Sequence, residues 1–264
     1  VSESSNIAWT HSTFNPVIGC TEVSPGCDNC YAREFSKAKF PVAKWGAGMP
    51  RYRTSENNWK QPERWNRKAE KSGEPWRVFC GSLCDIFDNE WPDVVRADLW
   101  SLVANTPYLT WLLLTKRIGN AKTMAPGGFQ SHVWLGATVV NQEEADRDIP
   151  KLLTTHAGKH FLSIEPMLGP ISLRWLPAWG GMATKPRHWQ QSTNELDGLR
   201  RIDWVIVGAE SGPHRRPFDH AWLRSIVEQC KAAGVPVFVK QDSSLRPGAR
   251  GKIPDDLWVR EFPA

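Results

Sequence analysis

Cys20-Thr-Glu-Val-Ser-Pro-Gly-Cys27-Asp-Asn-Cys30-Tyr31 is the stretch on which the reading of this chain turns. Three thiols fall within eleven residues, the last two as Cys-x-x-Cys. Ser24, Pro25 and Gly26 between them keep the segment in a loop. Upstream, Asn6 to Phe14 is rich in β-branched and aromatic residues and reads as a strand. Downstream, Tyr31-Ala-Arg-Glu-Phe-Ser-Lys-Ala-Lys reads as a helix start. The expected local order is strand, metal-cluster loop, helix.

Beyond it the chain alternates. A helix is expected over Pro62 to Lys71, a strand over Arg77 to Ser82, a helix over Val94 to Asn105 and a strand over Leu109 to Thr115. Strands follow at His132 to Val140, Lys159 to Glu165, Ile202 to Glu210 and Val235 to Gln241. Helices are expected at Gln142 to Leu153, with Asn141 as N-cap, and at His220 to Ala233. The strands are nearly continuous apolar runs, as in a parallel sheet covered on both faces. About seven of them, in 264 residues, predict an α/β fold: a full or partial (β/α) barrel with parallel strands and outer helices.

One domain over 1–264 is therefore expected, with two interruptions. A Pro-, Gly- and Trp-rich excursion covers 41–76, and an aperiodic insertion covers 174–201, read either as a lid over the barrel mouth or as a surface loop. The composition, 41% hydrophobic and 23% charged, is that of a soluble globular protein, and no apolar run of about 18 residues is long enough for a membrane span. Val1-Ser-Glu-Ser-Ser-Asn has neither a basic nor an apolar signal region, so a cytoplasmic location is expected. Six cysteines are too sparse for a disulfide scaffold. Of these, Cys80, Cys84 and Cys230 are read as small buried thiols.

Charge is segmental. Lys37 to Arg77 carries eleven Lys or Arg against four Glu, interleaved with Trp45, Tyr52, Trp59, Trp65 and Trp76. That mixture suits phosphate contact with base stacking, or else a solvated face whose tryptophans pack inward. On the first alternative, removing charge at Arg51 or Arg64 is expected to weaken nucleic-acid binding.

In a parallel barrel the active site lies at the C-terminal ends of the strands. Here those ends are polar. They carry Cys20, Cys27 and Cys30, then Ser82, Cys84 and Asp85, then Lys116 and Arg117, then Thr138 and Asn141, then Glu165, then Glu210, then Lys240. Seven such ends argue for one shared polar site. Three thiolates can hold three irons of a [4Fe-4S] cluster and leave the fourth open, whereas electron-transfer clusters usually have four cysteines. Zinc, with His11 or Cys84 as a fourth ligand, is the competing metal, because Cys-x-x-Cys is also a zinc half-site. Unliganded thiols are the third alternative.

These residues carry a resemblance. The three-cysteine loop after the first strand, Tyr31 beside its last cysteine and the β/α pattern resemble the radical S-adenosylmethionine superfamily. More closely, the run from Phe14 to Ala32 is similar to a phage and prophage radical-SAM-like family of unknown function. So are Ser82-Leu-Cys-Asp-Ile-Phe87, Trp111-Leu-Leu-Leu-Thr-Lys-Arg117, Trp134-Leu-Gly-Ala-Thr138, Glu165-Pro-Met-Leu-Gly-Pro170 and Trp204-Val-Ile-Val-Gly-Ala-Glu-Ser-Gly212. Two departures stand out: six residues rather than three separate the first two cysteines, and Gly81-Ser82-Leu83-Cys84-Asp85 replaces the usual Gly-Gly-Glu.

The resemblance implies a [4Fe-4S] cluster on Cys20, Cys27 and Cys30, S-adenosyl-L-methionine as cosubstrate, and a 5′-deoxyadenosyl radical that abstracts hydrogen. Tyr31, Ser82, Asp85, Thr138, Asn141 and Glu165 become cofactor contacts. Lys116, Arg117, Glu210 and Lys240 become substrate-side residues, and Cys84 a hydrogen donor. A nucleotide or DNA-base substrate is implied, for example isomerisation of a substituted thymine in phage DNA. The alternatives are lesion repair of the photoproduct-lyase type and a zinc-containing nucleic-acid-binding protein without catalysis. An external flavodoxin- or ferredoxin-like electron donor is implied as partner, in a bacterial or phage-infected cytoplasm.

Overall fold

The computed structural model describes residues 5–173 and 199–264. The chain divides into two compact units, Val1–Leu135 and Gly136–Ala264, with the boundary inside one strand.

The first unit opens with β1 (Ser12–Phe14), whose parallel partner is β4 (Trp76–Cys80), itself parallel to β5 (Leu109–Thr115). In the long β1–β4 connection lie β2 (Val17–Ile18) and β3 (Tyr52–Arg53), an antiparallel pair, with α1 (Tyr31–Lys39), α2 (Glu56–Trp59) and α3 (Gln61–Ser72). Next come α4 (Asp93–Ala104) between β4 and β5 and the short α5 (Ala121–Met124) after β5. Aromatic rings fill the core: Phe14 meets Trp59 and Trp111 edge-on at 5.5 and 5.9 Å, and Trp9 lies 4.7 Å from Phe79. Leu99 and Val103 give α4 its buried stripe at the four-residue spacing of one helix face.

β6 (Val133–Thr138) contains the boundary. The second unit continues with α6 (Gln142–Leu153), β7 (Lys159–Ile164), β8 (Trp204–Gly208), α7 (His220–Ala233) and β9 (Val237–Gln241). β7, β8 and β9 pair in parallel, and all five residues of β8 are buried, as expected of a strand covered on both faces. Trp204 anchors this core against Phe161, Phe238 and Phe262. α6 starts where its sequence says: Asn141 Oδ1 accepts the Glu144 amide and Glu144 Oε2 accepts the Val140 amide, a close relative of the capping box.

Sheet order is β1-β4-β5-β6-β7-β8-β9, every main strand beside its successor. Strictly sequential strands, with helices in the connections that are described, make a partial (β/α) barrel, because a doubly wound sheet would reverse direction at a switch point. The expected fold class is met. What sequence reading missed is β2 and β3: two residues each, too short for periodicity to register. Of the expected insertion at 174–201, residues 174–198 lie outside the described ones, and Leu199–Arg201 form a short 3-10 turn.

The basic segment needs a correction. Trp59 and Trp65 are buried, so neither offers a face for base stacking. Arg51 is buried as well, its guanidinium paired with Asp88 at 2.8 Å, and is no surface charge. The inward-packing alternative describes the two tryptophans, and Arg51 fits neither alternative. Arg64 does stand exposed on α3, which packs on β4 and β5.

One pH effect follows from the second unit. His160 Nε2 lies 2.8 Å from the Thr155 carbonyl oxygen, and burial lowers the imidazole pKa from its ordinary 6.5. The fold therefore favours the neutral ring. Its contribution is fully present above about pH 6.5 and falls as pH drops from there toward the depressed folded value, where the unfolded chain binds the extra proton. Thermal melts should show a lower midpoint at pH 5.5 than at 7.5, with a smaller difference in His160→Gln; an unchanged difference would refute the assignment.

Candidate functional site

In the first unit, β1 delivers the chain into the β2 pairing, and Gly19 then turns it. With φ +114° Gly19 occupies left-handed backbone, and a Cβ there would sit 2.5 Å from the Lys44 carbonyl oxygen, so no side chain fits. Cys20 follows directly. The six residues between Cys20 and Cys27 include a 3-10 turn, Pro25–Cys27, whose N-cap Ser24 accepts the Gly26 amide at 3.0 Å. The Cys30 amide donates to the Cys27 carbonyl, and Cys30 is the N-cap residue of α1. The extra length in the loop is thus ordered by local hydrogen bonds.

The six cysteines separate cleanly. All are free; Cys20, Cys27 and Cys30 are half-exposed, while Cys80, Cys84 and Cys230 are buried. Burial raises the Cys84 thiol well above its ordinary value, which fits the small-buried-thiol expectation for that residue.

The Cys20–Thr21 segment is held by two arginines. Arg117 Nη1 lies 3.5 Å from Cys20 Sγ, and Arg117 Nη2 donates to the Thr21 carbonyl at 2.6 Å. Arg51 Nη2 donates to Thr21 Oγ1 at 2.6 Å. Both arginines are held by carboxylates: Arg51 by Asp88 at 2.8 Å, Arg117 by Asp85 at 3.4 Å and more distantly by Asp88 at 4.0 Å. Burial, reinforced by Asp85 and opposed by Arg117, pushes the Cys20 thiol up to about 12. The free loop therefore carries this thiol protonated, and metal binding would release its proton.

Asp85 is fully engaged by protein. Its oxygens accept Thr115 Oγ1 at 2.7 Å, the Phe87 amide at 3.0 Å and the Lys116 amide at 2.9 Å, besides the Arg117 pair. It ties the β4 end to the β5 end. Ser82 differs: Asn15 Nδ2 donates to Ser82 Oγ at 2.9 Å, which leaves the hydroxyl proton to donate elsewhere. Tyr31 is exposed and its hydroxyl donates to the Ser82 carbonyl at 3.2 Å, clasping the start of α1 to the β4 end. The Lys116 side chain is half-exposed.

In the second unit, Lys240 Nζ approaches Glu165 Oε1 to 2.9 Å, an ion pair without hydrogen-bond alignment, and Ser163 Oγ donates to Glu165 Oε2 at 3.2 Å. Gly208 lies between them: a Cβ there would come within 3.2 Å of Glu165 Oε1 and 3.4 Å of Lys240 Cβ. Glu210 is taken by Arg216, through its amide at 2.7 Å and its guanidinium. Asn141 is the α6 cap and Thr138 is buried.

So Cys20, Asp85 and Arg117 are brought together, as are Tyr31 with Ser82 and Glu165 with Lys240. Cys84 is withdrawn into the core, and Asn141 and Glu210 serve their own surroundings. Sequence reading took Arg51 for a surface charge and missed Asp88 and Asn15.

With this geometry, the comparison with protein families is decisive over residues 4–253. The chain belongs to the DUF5131 family. DUF5131 is described as a protein of unknown function. No curated protein matches the chain. Among solved structures, this DUF5131 member is similar to a mutant of spore photoproduct lyase with bound AdoMet and dinucleoside spore photoproduct, at 14% identity and a TM-score of 0.45. The match covers 84% of this chain and 61% of the other, so the chain spans less than two thirds of that structure's length.

Among the described residues no three His, Cys, Asp or Glu side chains group closely enough to hold one metal ion. A zinc site would need a fourth donor beside the three loop thiols. A four-iron cluster takes each thiolate on a different iron, so its ligands stand apart. The three half-exposed thiols of this loop are a donor set that could hold three irons of such a cluster and leave the fourth open.

Proposed function

We propose that this chain is a radical S-adenosylmethionine enzyme acting on a nucleotide or DNA base, with Cys20, Cys27 and Cys30 holding a [4Fe-4S] cluster. The observation that carries the proposal is the division of the cysteines: the three on the loop after β1 are accessible and the other three are buried. Bound there, the cluster and S-adenosylmethionine supply one-electron chemistry that ends in hydrogen-atom abstraction from a substrate carbon.

The chain's own part is binding, orientation and exclusion of water. Arg117 holds the Thr21 carbonyl and Arg51 the Thr21 hydroxyl, so the segment that carries the first ligand is ordered before any metal arrives. Ser82 is the better contact for the methionine end of the cosubstrate, because its hydroxyl proton is available while the Asp85 oxygens are occupied. Asp85 positions Arg117 and Lys116. Tyr31 holds the loop against the β4 end and leaves its ring exposed. Glu165 and Lys240 form a neutral pair whose ammonium can meet a polar substrate group. Base modification, such as isomerisation of a substituted thymine, is the reaction class this reading favours.

Anaerobic reconstitution with iron and sulfide, followed by dithionite and S-adenosylmethionine, tests it. The expected result is about four irons per chain and release of 5′-deoxyadenosine. A colourless protein that holds only zinc and yields no 5′-deoxyadenosine would overturn the proposal.

A further inference from the structure

The strongest unassigned feature lies at the C-terminal ends of β8 and β9. The loops 211–217, Ser-Gly-Pro-His-Arg-Arg-Pro, and 243–252, Ser-Ser-Leu-Arg-Pro-Gly-Ala-Arg-Gly-Lys, carry five Arg or Lys and no Asp or Glu. The whole chain has a net charge of +5, so these two loops concentrate as much positive charge as the molecule carries in sum.

The loops are fastened to each other. Ser211 bridges to Ser244, the Gly212 amide donates to the Ser244 carbonyl at 3.0 Å, and Ser243 Oγ donates to the Arg216 carbonyl at 3.0 Å. The second loop is closed at its root, where the Asp242 amide donates to the Ala249 carbonyl and the Gly248 amide to Gln241 Oε1. Buried Asp242 accepts the Ser243 and Lys252 amides at 2.7 Å each, and His220 Nε2 lies 3.2 Å from it. Gly251 packs so tightly on Asp242 that a Cβ would overlap it. The backbone that presents the cations is therefore set in advance.

Neighbouring carboxylates do not neutralise all of them. Glu210 pairs with Arg216, Asp255 pairs with Arg250, and Asp219 caps α7 through the Ala221 amide. Among the described residues Arg215, Arg246 and Lys252 make no ion pair. Arg246 and Lys252 are exposed, and Arg215 is half-exposed with Nη1 donating to the Gly212 carbonyl. Three cations without a carboxylate partner on a fixed double loop, at the strand ends where barrels build their sites, are the groups that contact backbone phosphates.

We infer that the loops after β8 and β9 bind the phosphodiester backbone of a DNA strand through Arg215, Arg246 and Lys252. This deepens the nucleic-acid side of the proposed function and rests on it for its biological meaning, but not for its measurement. The contact lies on these loops rather than on the basic helix α3, whose exposed Arg64, Arg67 and Lys71 belong to a crossover helix packed on β4 and β5.

Fluorescence anisotropy with a labelled oligothymidylate, over about 50 to 200 mM salt, decides it. Three phosphate contacts to a single strand predict that about 2 of the log–log salt slope disappears in the variant Arg215→Gln/Arg246→Gln/Lys252→Gln, with at least tenfold weaker binding at the low-salt end. The charge-conserving variant Arg215→Lys/Arg246→Lys/Lys252→Arg should keep most of the affinity. Arg64→Gln/Arg67→Gln/Lys71→Gln should stay within twofold of the unmodified chain. Equal binding by the loop-neutralised variant, loss of binding in the α3 variant, or no salt-dependent binding by the unmodified chain each overturns the inference. Iron content and 5′-deoxyadenosine release, measured on the same preparations, report separately on the radical-enzyme reading.

Discussion

Replacing Cys20, Cys27 or Cys30 singly by Ala is expected to abolish cleavage of S-adenosylmethionine while leaving the fold intact. The two halves of that expectation have different origins. Loss of one thiolate leaves two ligands on a loop with no fourth cysteine within reach in sequence, and Cys84 is buried and strongly protonated, a poor replacement. Stability should change little at Cys27 and Cys30, by about 0.5 kcal/mol or less, because those thiols are half-exposed, and somewhat more at Cys20, whose thiol is partly desolvated. Cys230→Ala gives the contrast: it removes a buried sulfur from α7, so it should lower the melting midpoint while iron loading persists. Iron and sulfide assays with 5′-deoxyadenosine quantification, beside thermal melts, read both effects. If all loop variants retain full iron content, the cluster assignment fails.

A second large effect is expected at Arg51. The Arg51 side chain is fully buried and that of Asp88 is 2% exposed. Arg51→Met leaves the Asp88 carboxylate without its closest cation, a change that costs about 3–5 kcal/mol for a buried pair. For a chain of this size that corresponds to a drop in melting midpoint of roughly 6–20 °C. Adding Asp88→Asn removes the stranded charge while keeping an oxygen for the Glu90 amide, so the double variant should recover part of the loss. Urea or thermal denaturation of the single and double variants measures the coupling; strict additivity would show that the pair does not act as a unit. The single variant also frees Thr21 Oγ1, so iron loading should become slower even below the melting transition.

Much of this architecture is visible in the sequence, for a physical reason. β5, α6 and α7 have the limits their apolar spacing and flanking residues prescribe, because five of the seven residues of the Leu109 run are buried and Asn141 and Asp219 cap their helices with side-chain oxygens. The accessible thiols could be singled out by spacing alone. Arg51 could not, because a cation between Pro50 and Tyr52 in a basic stretch looks like surface, and only a distant carboxylate, Asp88, makes it core. Trp59 and Trp65 misled for a related reason: composition reports which residues are present and is silent on the way they face. Asp85 illustrates a third limit. Its position after β4 was legible, but its four protein partners come from β5 and from the loops beside it, so the question of what remains for a ligand needed coordinates.

Cys30 occupies the N-cap of α1 with extended backbone, yet its side chain makes no capping hydrogen bond. Sulfur is a weak acceptor, and an oxygen in the same place is worth about 1 kcal/mol to a helix. Cys30→Ser is therefore expected to raise the melting midpoint and, with Cys30 a ligand as proposed, to impair iron loading. On that proposal, stability and chemistry pull in opposite directions at this one position.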